Sequence, residues 1–196
     1  NIMPLLKNNL ALKGGTAINF TMLELPRLSV DIDLDFINPC SKEEMLRQRE
    51  LINDAIYEFM VSEGYEFSPK SKSPHSLDSF VYRYIGVSGN YDNIKIEINY
   101  SLRTHIDQAE SVDAIHPYFS NDFQIHRLSI IEIFASKINA LLTRAAARDL
   151  YDVHNMIKNN LVKDEHKVHL RKSIIFYFVI TSSNVGKGFN LEMIDR

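Results

Sequence analysis

LSVDIDLDFI, residues 28–37, decides how the rest of this chain is read. Val30, Ile32, Leu34 and Phe36 alternate with Asp31, Asp33 and Asp35, and that period of two predicts a half-buried strand with its carboxylates on one face. Neighbouring aspartates on that face stand roughly 6.5–7 Å apart along the strand. Aspartate is a poor strand former, and like charges in a row repel one another. Two readings are open: a polar, solvated strand face, or a divalent cation bridging Asp31 and Asp33, since hard cations prefer carboxylate oxygens. An EF-hand loop fails on spacing. Counted from Asp31, the sixth position is Phe36 where glycine is required, and the twelfth is Lys42 where glutamate is required.

Upstream, Gly14-Gly15-Thr16 ends fifteen residues before Asp31. Glycines let backbone N–H groups approach a phosphate closely, and a helix expected over residues 17–25 directs its positive end to the same place. Thr16 either caps that helix or donates its hydroxyl to the phosphate. Downstream, IKIEINY (residues 94–100) alternates Ile94, Ile96 and Ile98 with Lys95, Glu97 and Asn99, which predicts a second strand. Glu97 is either an exposed edge glutamate or, if its strand pairs beside the first, a third carboxylate. In the latter case Asp31, Asp33 and Glu97 converge on two metal ions about 3.5–4 Å apart, the arrangement that phosphoryl and nucleotidyl transfer require. FVYRYIGV (residues 80–87) predicts a third strand, joined to the second by a turn through Gly86, Gly89 and Asn90.

Ser41 followed by Glu44 predicts a capping box for a helix reaching about residue 62, with Gly64 placed to end it. Ser129 and Glu132 repeat the device, opening a helix with Ile131, Phe134, Ile138, Leu141 and Leu142 on one stripe. SPKSKSPHSLDS (residues 68–79) reads as an exposed, mobile loop. The first two-thirds are therefore mixed α/β and the chain from about residue 128 is helical, with a boundary near residues 122–127.

In the helical part, a single helix through residues 131–153 would place Lys137, Arg144 and Arg148 along one edge. Asp149 and Asp152 would then face the apolar side, where buried carboxylates need partners. Arg144 or Arg148 is the nearest candidate. One reading is an arginine–aspartate lock between helices. The other sets Lys137 on nucleotide phosphates and Asp149 or Asp152 in a site.

Composition narrows the classes. The 196 residues are 45% hydrophobic and 24% charged, which excludes a disordered or fibrous chain. The net charge of −3 excludes a pervasively basic nucleic-acid coat, though not a local basic groove. Cys40 is the single cysteine, so neither an intrachain disulfide nor a thiolate metal site is expected, and a reducing cytoplasm is the economical location. The longest apolar run, residues 174–180 (IIFYFVI), is too short to span a bilayer. Lys7 and Lys13 interrupt what would be the apolar region of a secretory signal, so none is expected.

Taken together, LKGGTA (residues 12–17), PRLSVDIDL (residues 26–34), Lys137, Arg144 and RDLYD (residues 148–152) resemble the AbiEii-type nucleotidyltransferases. These are toxins of type IV toxin–antitoxin and phage abortive-infection systems, related to the MenT toxins. The resemblance covers roughly residues 12–157, with the motifs in family order. It implies an α/β (α+β) fold: a polymerase β-like nucleotidyltransferase core with a mixed sheet over residues 1–124, and a helical lobe over 125–196. It implies Mg²⁺-dependent transfer of a nucleotide from an NTP to an acceptor, expected to be RNA such as a tRNA 3′ end, and a cognate antitoxin as partner. Carried over by position, Gly14, Gly15 and Thr16 contact phosphate and Asp31 and Asp33 bind metal. Lys137 and Asp152, with Arg148 and Asp149, complete the site; Arg27 and Ser29 match the pattern without an assigned role. Glu97 lies outside the family signature, and its role as third carboxylate comes from nucleotidyltransferases at large. Two alternatives stand beside this: a nucleotide-sugar glycosyltransferase that uses the same DxD pair, and a non-catalytic nucleotide-binding member.

Overall fold

The computed structural model describes residues 2–24, 29, 31–102, 104–115, 119 and 122–181. The order of elements is α1 (Met3–Asn9), β1 (Leu10–Lys13), α2 (Gly14–Thr21), β2 (Asp31–Phe36), α3 (Lys42–Ser62), β3 (Glu66–Phe67), β4 (Leu77–Ile85), β5 (Tyr91–Asn99), β6 (Glu110–Asp113) and β7 (Gln124–Arg127). Three further α-helices follow: α4 (Ile130–Arg144), α5 (Ala147–Lys158) and, after a 3₁₀ turn at Asp164–His166, α6 (Lys167–Thr181). The described residues form two compact units, one within residues 1–105 and 109–127, the other within residues 106–108 and 128–196.

The first unit is built on a seven-stranded mixed sheet in the order β3-β4-β5-β2-β1-β7-β6. β2 lies at its centre, antiparallel to β1 and parallel to β5. Leu28 and Val30, which the alternation included in this strand, lie outside the described residues. Ile32, Leu34 and Phe36 turn toward one face, where they meet Leu10, Phe80, Tyr82, Ile96 and Ile98. α3 covers that face with Met45, Ile52, Ile56 and Met60, a stripe whose spacing keeps one side of the helix on the sheet. Alternation leaves the aspartates of β2 on the opposite face, where α2 packs against β1 and β2.

Local signals explain the element ends. The Ser41 hydroxyl accepts the Glu44 N–H and starts α3, while Gly64, at φ +85°, closes it with its N–H donated to the Val61 carbonyl. β4 and β5 pair over their full lengths, and Gly86 and Asn90 bond across the turn that joins them. Residues 68–79 differ from the expected loose loop. Ser68 and Ser71 bond to Val81, Lys72 and Ser79 exchange both backbone bonds, and β4 already begins at Leu77. Backbone pairing along the strand edge outweighs the serine–proline composition there. α2 also begins earlier than expected, at Gly14, and ends at Thr21.

In the second unit, α4 packs against both α5 and α6. Ser129 accepts the Glu132 N–H, as the capping signal requires. The Glu132 side chain, however, is fully buried, and its carboxylate accepts the Ile106 N–H and the Tyr177 hydroxyl, each at 3.0 Å. The single helix considered across residues 131–153 is broken. Ala145 takes the left-handed conformation at φ 49°, its N–H donated to the Leu141 carbonyl, and α5 starts two residues later. No helix among the described residues is long and apolar enough to cross a membrane.

Candidate functional site

The acidic face of the first unit is assembled by strand register. β2 and β5 pair so that Asp31 lies opposite Lys95 and Asp33 opposite Glu97, while β1 sets Lys13 opposite Asp33 and Ala11 opposite Asp35. Asp31, Asp33 and Glu97 therefore share one face, as the sequence reading required for a third carboxylate. Two lysines already offset the crowding of negative charge. Lys13 Nζ pairs with the buried carboxylate of Asp35, and Lys95 Nζ lies 2.8 Å from Glu97 Oε1. The hydrogen bond to Glu97 chiefly raises the Lys95 pKa above the usual lysine value; partial burial opposes this, and the charges of Glu97, Asp31 and Asp33 add to it. Asp35 is thus committed to a structural pair, and Lys95 is the residue that sequence reasoning left unassigned. Its signal was present: in a strand of period two, Lys95 and Glu97 must fall on the same side.

The glycine turn abuts this face. Gly14 sits at φ +71°, and a Cβ built there would lie 3.2 Å from Asp33 Cβ and into its carboxylate. Glycine is therefore required twice, once by the backbone conformation and once by the neighbour. Gly14, Gly15 and Thr16 supply the first turn of α2, whose N–H groups have no partner within the helix. Thr16 is buried and donates its hydroxyl to the Asp31 carbonyl, which ties the start of α2 to the start of β2. The cap that Thr16 was considered for is not formed, since the helix begins two residues before it. Ser29 is half-buried; Arg27 lies outside the described residues.

This donor set suits a hard cation. Asp31 and Asp33 present carboxylates from successive same-face positions, and Mg²⁺ is commonly held by one or two protein carboxylates together with substrate phosphates and water. Among the described residues no three His, Cys, Asp or Glu side chains are gathered so that they could hold a metal ion, so Glu97 shares the face of Asp31 and Asp33 without closing with them into the three-carboxylate site expected from the sequence.

The second unit holds the other predicted cluster. Asp149 and Asp152 are fully buried on α5. Lys137 of α4, itself buried, places Nζ 2.8 Å from Asp152 and 3.5 Å from Asp149. Arg144 grips Asp149 in two bonds, Nε to Oδ2 at 2.6 Å and Nη2 to Oδ1 at 2.9 Å. Burial works to raise the Asp149 pKa, but the Arg144 bond and the charges of Lys137, Arg144 and Arg148 outweigh it, so the carboxyl lies below its usual range. Of Arg144 and Arg148, the two partners considered for the buried aspartates, Arg144 forms the lock with Asp149, and Lys137 in addition bridges both carboxylates. Arg148 is exposed and acts on Asp149 through its charge.

A family model, the nucleotidyl transferase AbiEii toxin of type IV toxin–antitoxin systems, matches residues 2–184. Among solved structures the chain is similar to the MenT4 nucleotidyltransferase toxin of Mycobacterium tuberculosis, at 20% identity and a TM-score of 0.63. That alignment takes in 95% of this chain and 62% of the mycobacterial toxin, and it establishes a common fold. No curated protein matches the chain. The family match runs through the glycine turn, the acidic strand and the Lys137–Asp149–Asp152 cluster alike, and the chain belongs to the AbiEii family of nucleotidyltransferase toxins.

Proposed function

We propose that this protein transfers a nucleoside monophosphate from an NTP to an RNA acceptor, with a tRNA 3′ end as the leading candidate, and that it acts as the toxin partner of a cognate antitoxin. The observation that carries this reading is the close approach of the Gly14 backbone to the Asp33 side chain, which sets the first backbone amides of α2 beside a carboxylate pair. Neither a solvated strand face nor a glycosyltransferase DxD pair calls for that glycine turn.

In this scheme the amides of Gly14 and Gly15 donate to the triphosphate, and Asp31 and Asp33 hold Mg²⁺, with Glu97 alongside. When bound, Mg²⁺ supplies neutralising charge for the triphosphate and the departing pyrophosphate. The acceptor hydroxyl oxygen bonds to the α-phosphorus, the bond to pyrophosphate breaks, and the hydroxyl proton passes to solvent water. Lys137, oriented by Asp152, is assigned to nucleotide phosphate, with Arg148 contributing charge and Asp149 fixing the local frame through Arg144.

The test is to incubate the purified protein with Mg²⁺, each labelled NTP in turn and total bacterial RNA, and to identify which RNA gains label. Label should enter small RNA with one NTP preferred, and both Asp31→Ala and Asp33→Ala should abolish it while melting near the wild-type temperature, because each relieves charge crowding. Full labelling by the Asp33 variant, or transfer from nucleotide sugars instead, would sink the reading.

A further inference from the structure

The acidic face carries its own cation. Lys95 enters from the strand beside β2, directly opposite Asp31, and its ammonium lies 2.8 Å from Glu97 Oε1. Asp33, paired in register with Glu97, stands on the same face. Both members of the pair remain partly open to solvent, with side-chain exposures of 38% for Lys95 and 27% for Glu97, so neither is locked in the core. A lysine on a flexible four-carbon stem can leave such a position at little cost. Asp35 on the same face is different: it is buried, and its partner is Lys13, anchored on β1.

We propose that Lys95 is the resident counterion of the Asp31–Asp33–Glu97 face, a positioning residue that holds Glu97 in the metal-free protein and is displaced from it when a divalent cation binds. This rests on the metal-binding reading of Asp31 and Asp33 above. Without a cation, three carboxylates on one face repel one another, and the ammonium limits that repulsion. When a divalent cation enters on Asp31 and Asp33, its charge repels the neighbouring ammonium and competes with it for Glu97, so the lysine lowers the affinity of the face for metal. Released from Glu97, the ammonium is available to the phosphates of a bound nucleotide.

Melting temperature without metal, and Mn²⁺ affinity followed by the electron paramagnetic resonance of the free ion, test this without recourse to catalysis. Lys95→Gln should melt about 2–4 °C lower in chelator and bind Mn²⁺ about five-fold more tightly than wild type. Lys95→Arg, which keeps the charge, should return both quantities toward wild type. If Lys95→Gln matches wild type in both while Asp33→Ala loses Mn²⁺ binding, the counterion role is wrong and the metal-binding reading stands. Absence of Mn²⁺ binding in wild type and variant alike would overturn both.

Discussion

Gly14 and Asp33 show how a single atom constrains this protein. Because Gly14 holds a positive φ and faces the Asp33 side chain, Gly14→Ala must both strain the backbone and push the carboxylate aside. It should cost about 1–3 kcal/mol of stability and remove nucleotide transfer, as read by a denaturant melt and the labelling assay together. Lys137 presents the opposite case, a charge that is needed because it is buried. It neutralises Asp152 at 2.8 Å and helps neutralise Asp149 at 3.5 Å. Lys137→Met should therefore raise the NTP requirement and also destabilise the fold by about 3 kcal/mol or more, since two buried carboxylates lose a partner. An unchanged melting curve for that variant would show that the cluster is not held together by this lysine.

The starts of α3 and α4 were readable from short-range chemistry. Ser41 and Ser129 cap α3 and α4 as their spacing from Glu44 and Glu132 requires, since a cap depends only on residues three apart. The direction of the Glu132 side chain was not readable, because its partners, Ile106 and Tyr177, are remote in the chain. The break between α4 and α5 was missed for a related reason. It falls at Ala145, a good helix former with no turn signature, held at φ 49° where glycine is usual. Ala145→Gly should relieve that strain and stabilise the protein by about 0.5–1 kcal/mol in chemical denaturation. A destabilised variant would mean that helix propensity, not the turn, governs the junction. In residues 68–79 the exposure follows from the serines and prolines, but the bonds of Ser68, Ser71 and Lys72 to β4 do not, because composition carries no information about strand register.

Summed over the protein, the shifted ionisations bound a stability plateau. Asp149 lies below its unperturbed 3.8 in the folded state, so its contribution is present above that pH and is lost as pH falls through the folded value. Tyr82 is pushed up to about 12 by burial from an unperturbed 10.0, with Tyr100 raised in the same direction, so their contribution is present below pH 10 and is lost as pH rises toward 12. Thermal melts across pH should be flat from about 6.5 to 10, decline slightly below 6.5 because burial and the Lys7 charge hinder protonation of His126 in the folded state, and fall further at both outer limits, where Asp149→Asn should flatten the acid limb. A steep decline between pH 5 and 9 would contradict this assignment.

The central strands, the caps of α3 and α4, the glycine turn and the identity of the acidic pair all follow from neighbours within a few residues, where a period of two or a spacing of three leaves little choice. Residues 28–37 alone set the polarity of both sheet faces. Register and burial belong to the fold. That Glu97 stands opposite Asp33, that Lys95 and Lys13 offset the negative face, and that Lys137 bridges Asp149 and Asp152 depend on how separate strands and helices are brought together. Side-chain charge is written in the chain, but which charges meet is settled by strand pairing and helix packing, where the energy of a contact depends on distance and dielectric rather than on order along the backbone.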